Sequence, residues 1–225
     1  MEVWFMEYLL RLESEAKYFA GATDRSYEKS LMDELLKIVD EAESLFGPRD
    51  RSYELLVPRI SECRCAHPYI HPFRKIRIYL TSHCTTRYIA SYQLAHEAIH
   101  ILSPTPCWAT ILEEGLATYF SHRYMKRVYG LEFQAPDRRY DAALRAVTPL
   151  MTKNEFVIKE LRTRQPLISK IDEQLLIEVT GIEPDAAKFL CSHFESDEQE
   201  ASTWSDFAKQ SAKGFRSIWD QWKSA

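Results

Sequence analysis

Residues 88–119 read YIASYQLAHEAIHILSPTPCWATILEEGLATY, and the fold turns on how this stretch divides. Tyr92, Leu94, Ala95, Ile99 and Leu102 suit one densely packed helix starting near Tyr88. Pro104 and Pro106 then force a bend, because proline lacks the amide hydrogen that a continuing helix needs. Thr110 and Glu113 have the spacing of a capping box, so a second helix is predicted to start there. Gly115 and Ala117 follow within that helix. Glycine costs helix stability relative to alanine, so its presence points to a close packing contact.

Upstream the period changes. Ile76, Ile78 and Leu80 alternate with Arg77 and Tyr79, and Tyr53, Leu55 and Val57 alternate in the same way. Both patterns predict short strands, separated by a loop rich in His, Pro and Cys. Residues 27–46 carry a helical stripe of Tyr27, Leu31, Leu35, Ile38, Ala42 and Leu45, closed by Gly47-Pro48. Phe5, Tyr8, Leu9, Leu12, Ala16 and Phe19 predict an earlier helix. Downstream, residues 137–147, 153–161 and 171–179 are predicted helical, separated by Pro149, Pro166 and Gly181. An acidic connector at 195–200 leads to a final helix that starts at Thr203, with Trp204, Phe207, Phe215, Trp219 and Trp222 on one stripe. The expectation is a mostly helical α+β fold with a small sheet confined to about residues 52–80. No linker or repeat divides the chain, so one compact unit is expected: N-terminal helices in 1–50, a core in 51–130 and a helical part in 131–225.

Composition narrows the function classes. Twenty-nine basic against 33 acidic residues leave a net charge of −4, which provides no global basic field for nucleic acid. The local basic run 137–145 reads as a solvated helix face. No apolar run approaches the ~18 residues of a membrane span, and the acids within the first 20 residues argue against a signal peptide. Five irregularly spaced cysteines fit reduced thiols and a cytoplasmic setting. Cys63, Cys65, His67, His71 and His83 offer a weaker second cluster, but a lone CxC lacks the matching second pair of a structural zinc site.

The chemistry concentrates at residues 96–100, His-Glu-Ala-Ile-His, an HExxH motif. On a helix His96 and His100 are four residues apart and share a face. Two imidazoles on successive turns can grip one zinc ion, and Glu97 beside them is placed to take a proton from the attacking water. The acidic pair Glu113-Glu114 with its small neighbours would let a second helix come close enough to complete a metal site.

HExxH followed by the 112–117 stretch LEEGLA resembles the gluzincin metallopeptidases, the group that includes thermolysin and the zinc aminopeptidases. The resemblance covers about residues 76–124 and implies a zincin-like fold. It implies Glu114, directly before Gly115, as third ligand of one Zn²⁺, and Thr118 as a polar residue orienting a histidine ligand. It also implies that strand 76–80 is an edge strand with which an extended peptide pairs. The oxyanion stabiliser of the family is a Tyr or His, for which Tyr119, His122, Tyr124, Tyr129 and Tyr140 are available. Two features depart from the family. Only 13 residues, 101–113, separate His100 from Glu114, and no GxMEN stretch precedes His96. The second removes the amine anchor of the aminopeptidases and favours cleavage within chains.

The expected function is therefore a zinc peptidase acting on peptide or protein substrates, with Glu97 as general base. The contrasting reading is a zinc-binding regulatory protein of little or no activity, using the C-terminal aromatic helix for a protein partner. A structural site has no need of a base, and Glu97 argues for the enzyme. Hydrolysis of a non-peptide amide would use the same chemistry.

Overall fold

The computed structural model describes residues 24–194 except 64, 72, 83, 85, 106, 107, 134, 136 and 137, with backbone alone for 24–28. The helices expected at 5–19 and from Thr203, and the acidic connector 195–200, lie outside the described residues. Helix α1 (Asp24–Phe46) leads into strands β1 (Glu54–Ser61), β2 (His67–His71) and β3 (Lys75–Thr81). Helices α2 (Arg87–His100), α3 (Ile111–Tyr129), α4 (Arg138–Lys153), α5 (Val157–Arg164), α6 (Glu173–Thr180) and α7 (Pro184–Cys191) follow. The fold is α+β and mostly helical, with one three-stranded sheet. Its buried apolar residues form one continuous core from Leu31 to Leu190.

The sheet order is β1-β3-β2, with β1 parallel and β2 antiparallel to β3. Strand 76–80 is thus the central strand, contrary to the expectation that it forms an edge. Ile76, Ile78 and Leu80 are fully buried, and both sides of its backbone ladder are taken. The edge facing away from β1 is β2, in the stretch read as a loop. Pro68 hid it. A proline cannot donate to a ladder, so it disguises a strand in sequence yet is tolerated on an edge. Pro58 sits likewise in β1, where the pairing register shifts between Leu56 and Arg59.

From Leu31 to Leu45 the α1 stripe is buried as its spacing predicts, and Gly47 ends the helix at φ +90°. Pro149 does not end a helix: α4 continues through it to Lys153. An interior proline costs about 3 kcal/mol. Burial of Leu150 and Met151 beyond it offsets that, at roughly 1.5–3 kcal/mol each. The break comes at Asn154, whose side-chain oxygen accepts from Phe156 N–H at 2.9 Å. The helix expected at 153–161 therefore starts only at Val157. Helix α7, unforeseen between Gly181 and the acidic connector, carries the chain back against the bend before α3. There Ile111 N–H donates to Ser192 O and Phe194 N–H to Ala109 O, each at 3.0 Å.

Glu34 joins α1 to the helices that carry the site. Its buried carboxylate accepts from Arg87 (3.0 Å), Ser91 (2.9 Å), Tyr124 (3.1 Å) and Tyr129 (2.9 Å). Burial alone would raise its pKa, but the hydrogen bonds from Arg87, Tyr129 and Ser91 outweigh that and hold it below 4.5. Glu34→Ala should cost about 2–4 kcal/mol, because three hydroxyls lose a buried acceptor. A group with a depressed folded pKa stabilises above its unfolded value and loses that contribution as pH falls through the folded one. The gap between wild type and variant in urea unfolding should therefore be full at pH 6 and narrow below about 4.5. A gap unchanged down to pH 3 would contradict this account.

Candidate metal centre

Helix α2 starts at Thr86, whose hydroxyl accepts from Ile89 N–H at 3.3 Å, and carries His96 and His100 on one face with ring centroids 5.4 Å apart. After the bend Thr110 caps α3, accepting from Glu113 N–H at 3.3 Å. That places Glu113 and Glu114 in the first turn, where the helix dipole favours negative charge. A Cβ on Gly115 would lie 2.5 Å from Ala143 O and 2.5 Å from Val147 Cγ2. Only glycine permits α3 and α4 to cross this closely. The crossing sets the depth of Glu114 and brings α4 to the histidines.

The donor atoms of His96, His100 and Glu114 all lie within 4.8 Å of one another, and no other such group occurs among the described residues. His96 Nε2 is 3.1 Å from Glu114 Oε2, and His100 Nε2 is 3.6 Å from Glu114 Oε1. A tetrahedral zinc with bonds of about 2.0–2.1 Å spaces its ligands roughly 3.3–3.4 Å apart. The two separations, one to each carboxylate oxygen, lie close to that value, and two imidazoles with a carboxylate are a donor set that suits zinc, so the three residues could hold the ion. The Cys63–His83 cluster does not assemble in this way: Cys63 donates to Leu80 O and His67 Nδ1 pairs with Cys65 O, while His83 lies outside the described residues.

Glu113 is the residue whose role the sequence concealed. Its carboxylate accepts from His100 Nδ1 at 3.0 Å, which turns Nε2 toward Glu114. Such a carboxylate fixes the tautomer and orientation of a ligand imidazole. The capping spacing explained Glu113 completely in sequence, yet only half of the capping box forms. Thr118, expected to orient a histidine, instead donates to the Glu114 backbone carbonyl at 2.9 Å.

The other expected residues separate. The Tyr140 ring meets His96 edge-on at 5.6 Å. Tyr124 and Tyr129 spend their hydroxyls on Glu34. Tyr119 and His122 line a neighbouring cavity, and His122 pairs with Tyr92 at 3.5 Å. Burial, and then the charge of His96, lower the His122 pKa.

Glu97 is 3% exposed. Burial pushes its carboxyl pKa up, partly opposed by His96 and His100. Burial also works against charge on His100, but Glu114 and Glu113 outweigh it and raise the imidazole to about 10. Burial acts against Glu114 too, yet His100 and His96 bring its pKa down. Without metal, His100 thus keeps its proton at neutral pH, and a bound cation displaces it, so affinity should rise with pH. The thiols of Cys84 and Cys191 are pushed to about 12 by burial, which leaves them poor nucleophiles.

Glu114→Ala should strip zinc from the protein. Glu113→Ala should keep one ion with affinity weakened about 10–100-fold. Elemental analysis with chelator competition separates the two, and equal loss of metal from both would remove the distinction between ligand and orienting residue.

Compared with protein-family models, curated proteins and solved structures, the chain has no match. No helix among the described residues is long and apolar enough to cross a membrane.

Proposed function

We propose that the protein is a zinc-dependent peptidase of zincin-like fold that cleaves within peptide chains. The observation that carries this reading is the convergence of His96, His100 and Glu114 beside the buried carboxyl of Glu97. His96, His100 and Glu114 would hold the ion. Zinc bound there supplies Lewis acidity, which polarises a scissile carbonyl and acidifies the attacking water.

The chain supplies the rest. Glu97, with a pKa raised by burial, accepts the water proton and returns it to the leaving amine. Glu113 keeps His100 aligned. Tyr140, packed on His96, is the expected residue best placed to donate to the developing oxyanion. The free edge of β2 offers backbone groups for an extended substrate. Digestion of an unbiased peptide library by the zinc-loaded full chain tests the reading. Internal cleavage that stops with a chelator and returns with zinc is expected. A zinc-loaded protein that cleaves no peptide would leave the regulatory reading in its place.

A further inference from the structure

Beside the metal centre the surface opens into two adjoining cavities of 610 and 580 Å³, which share His122 and Phe133. Tyr92 joins them to the metal helix. Its ring stacks on Phe133 with centroids 4.8 Å apart and planes 14° apart, and its hydroxyl lies 3.5 Å from His122 Nε2. Tyr92 precedes His96 by four residues, about one helical turn. The cavities therefore lie about one helical turn from the first imidazole, one lined by α3 with Glu132 and Phe133 and the other by α3, Phe133, Ala135 and α4.

Their walls have the opposite sign to the chain. Arg123, Lys126 and Arg127 line one cavity and Arg138 and Arg145 the other, against only Glu132 and Asp141. The whole chain carries a net −4. Three of these cations hold exposed or half-exposed partners, Arg123 with Glu155, Lys126 with Glu132 and Arg145 with Asp141, while Arg127 pairs with the more buried Glu41. Exposed pairs of this kind are worth about 1 kcal/mol or less, so an arriving carboxylate can compete for them. Arg138 is exposed on the wall and has no ion-pair partner among the described residues. On the floor, Phe133 and His122 offer a surface for the apolar stem of a side chain.

We propose that this groove selects peptides bearing acidic side chains near the bond to be cleaved, with Arg138 receiving the carboxylate. This deepens the peptidase reading and rests on it for the cleavage, but not for the binding. A groove of one sign beside a reaction centre concentrates ligands of the other sign and sets their register. Two cavities that share His122 and Phe133 offer room for more than one acidic side chain of a peptide, where a single small anion would fill only one.

The test uses the zinc-loaded full chain and two labelled probes, acetyl-(Glu)₆-amide and acetyl-(Gln)₆-amide, read by fluorescence anisotropy. The acidic probe should bind about tenfold tighter at low ionic strength, and 0.5 M salt should abolish the difference. Arg138→Gln should reduce the preference to about threefold or less, and Arg138→Lys should keep most of it. Equal binding of both probes by the wild type, or a preference untouched by Arg138→Gln, overturns the proposal. So does one other result. If the chain carrying Glu195→Gln, Asp197→Asn, Glu198→Gln and Glu200→Gln binds the acidic probe more than about tenfold tighter, the groove serves the chain's own acidic connector. Because the initial anisotropy reports binding whether or not the probe is later cleaved, a protein that prefers the acidic probe but cleaves nothing refutes the peptidase reading and leaves the groove assignment standing.

Discussion

Glu97→Gln should bind zinc as the wild type does and lose hydrolysis by about 10²–10⁴-fold, the usual worth of a positioned acid–base group. The amide keeps the shape of the carboxylate but cannot accept a proton. Glu97 is one residue from His96 and buried, near enough to both imidazoles and Glu114 to feel their charges, and the proposed mechanism puts its carboxyl at the attacking water. The raised pKa matters to both halves of the reaction. A carboxyl of lower pKa gives up a proton readily but is a weak base, so a group that must first take the water proton gains from a pKa raised toward the working pH. The measurement is the rate on whichever peptide the library yields, beside zinc content on the same preparation. Wild-type cleavage by Glu97→Gln would sink the mechanism. Loss of zinc together with activity would instead make Glu97 part of the binding site.

Arg162→Ala should produce the largest loss of stability outside the site, about 3 kcal/mol or more. At the ~2–4 °C per kcal/mol expected of a domain this size, thermal unfolding should come roughly 6–12 °C earlier. Arg162 is 8% exposed, and its guanidinium donates to five backbone carbonyls. Three belong to Phe46, Gly47 and Pro48, at 2.8 Å each, where α1 ends. Leu102 O, at 3.3 Å, follows the end of α2, and Pro166 O, at 3.0 Å, follows α5. Carbonyls at helix ends have no partner within the helix. One planar fork therefore satisfies three chain segments at once, including the segment that leaves His100. Lysine has three donors on a single point and cannot reproduce the fork, so Arg162→Lys should recover less than half of the loss. Calorimetry on the three proteins decides this, and an Arg162→Ala midpoint within 2 °C of the wild type would refute the structural role.

Legibility was uneven for a consistent reason. The helix with His96 and His100, the Thr110 cap, the Gly47 stop and the α1 stripe from Leu31 to Leu45 are legible in the sequence, because each depends on neighbours three or four residues away. Gly115 was recognised as a packing residue, but its partners Ala143 and Val147 were not. The ring contact between Tyr140 and His96 depends on α4 crossing α3 at that glycine, which no local pattern reveals. Edge strand β2 was missed because Pro68 makes a strand look like a loop, and the true edge became visible only when β3 was found paired on both sides.

The sequence alone thus determined which residues could meet on one helix face and where helices begin and end. Those are local matters, settled by the 3.6-residue period and by capping. Only the tertiary structure decided that Glu113 aligns His100 while Glu114 faces both imidazoles, and that Arg162 ties three chain ends together. Two adjacent glutamates are chemically alike, and their roles diverge only when another helix, 13 residues back, presents different nitrogen atoms to each.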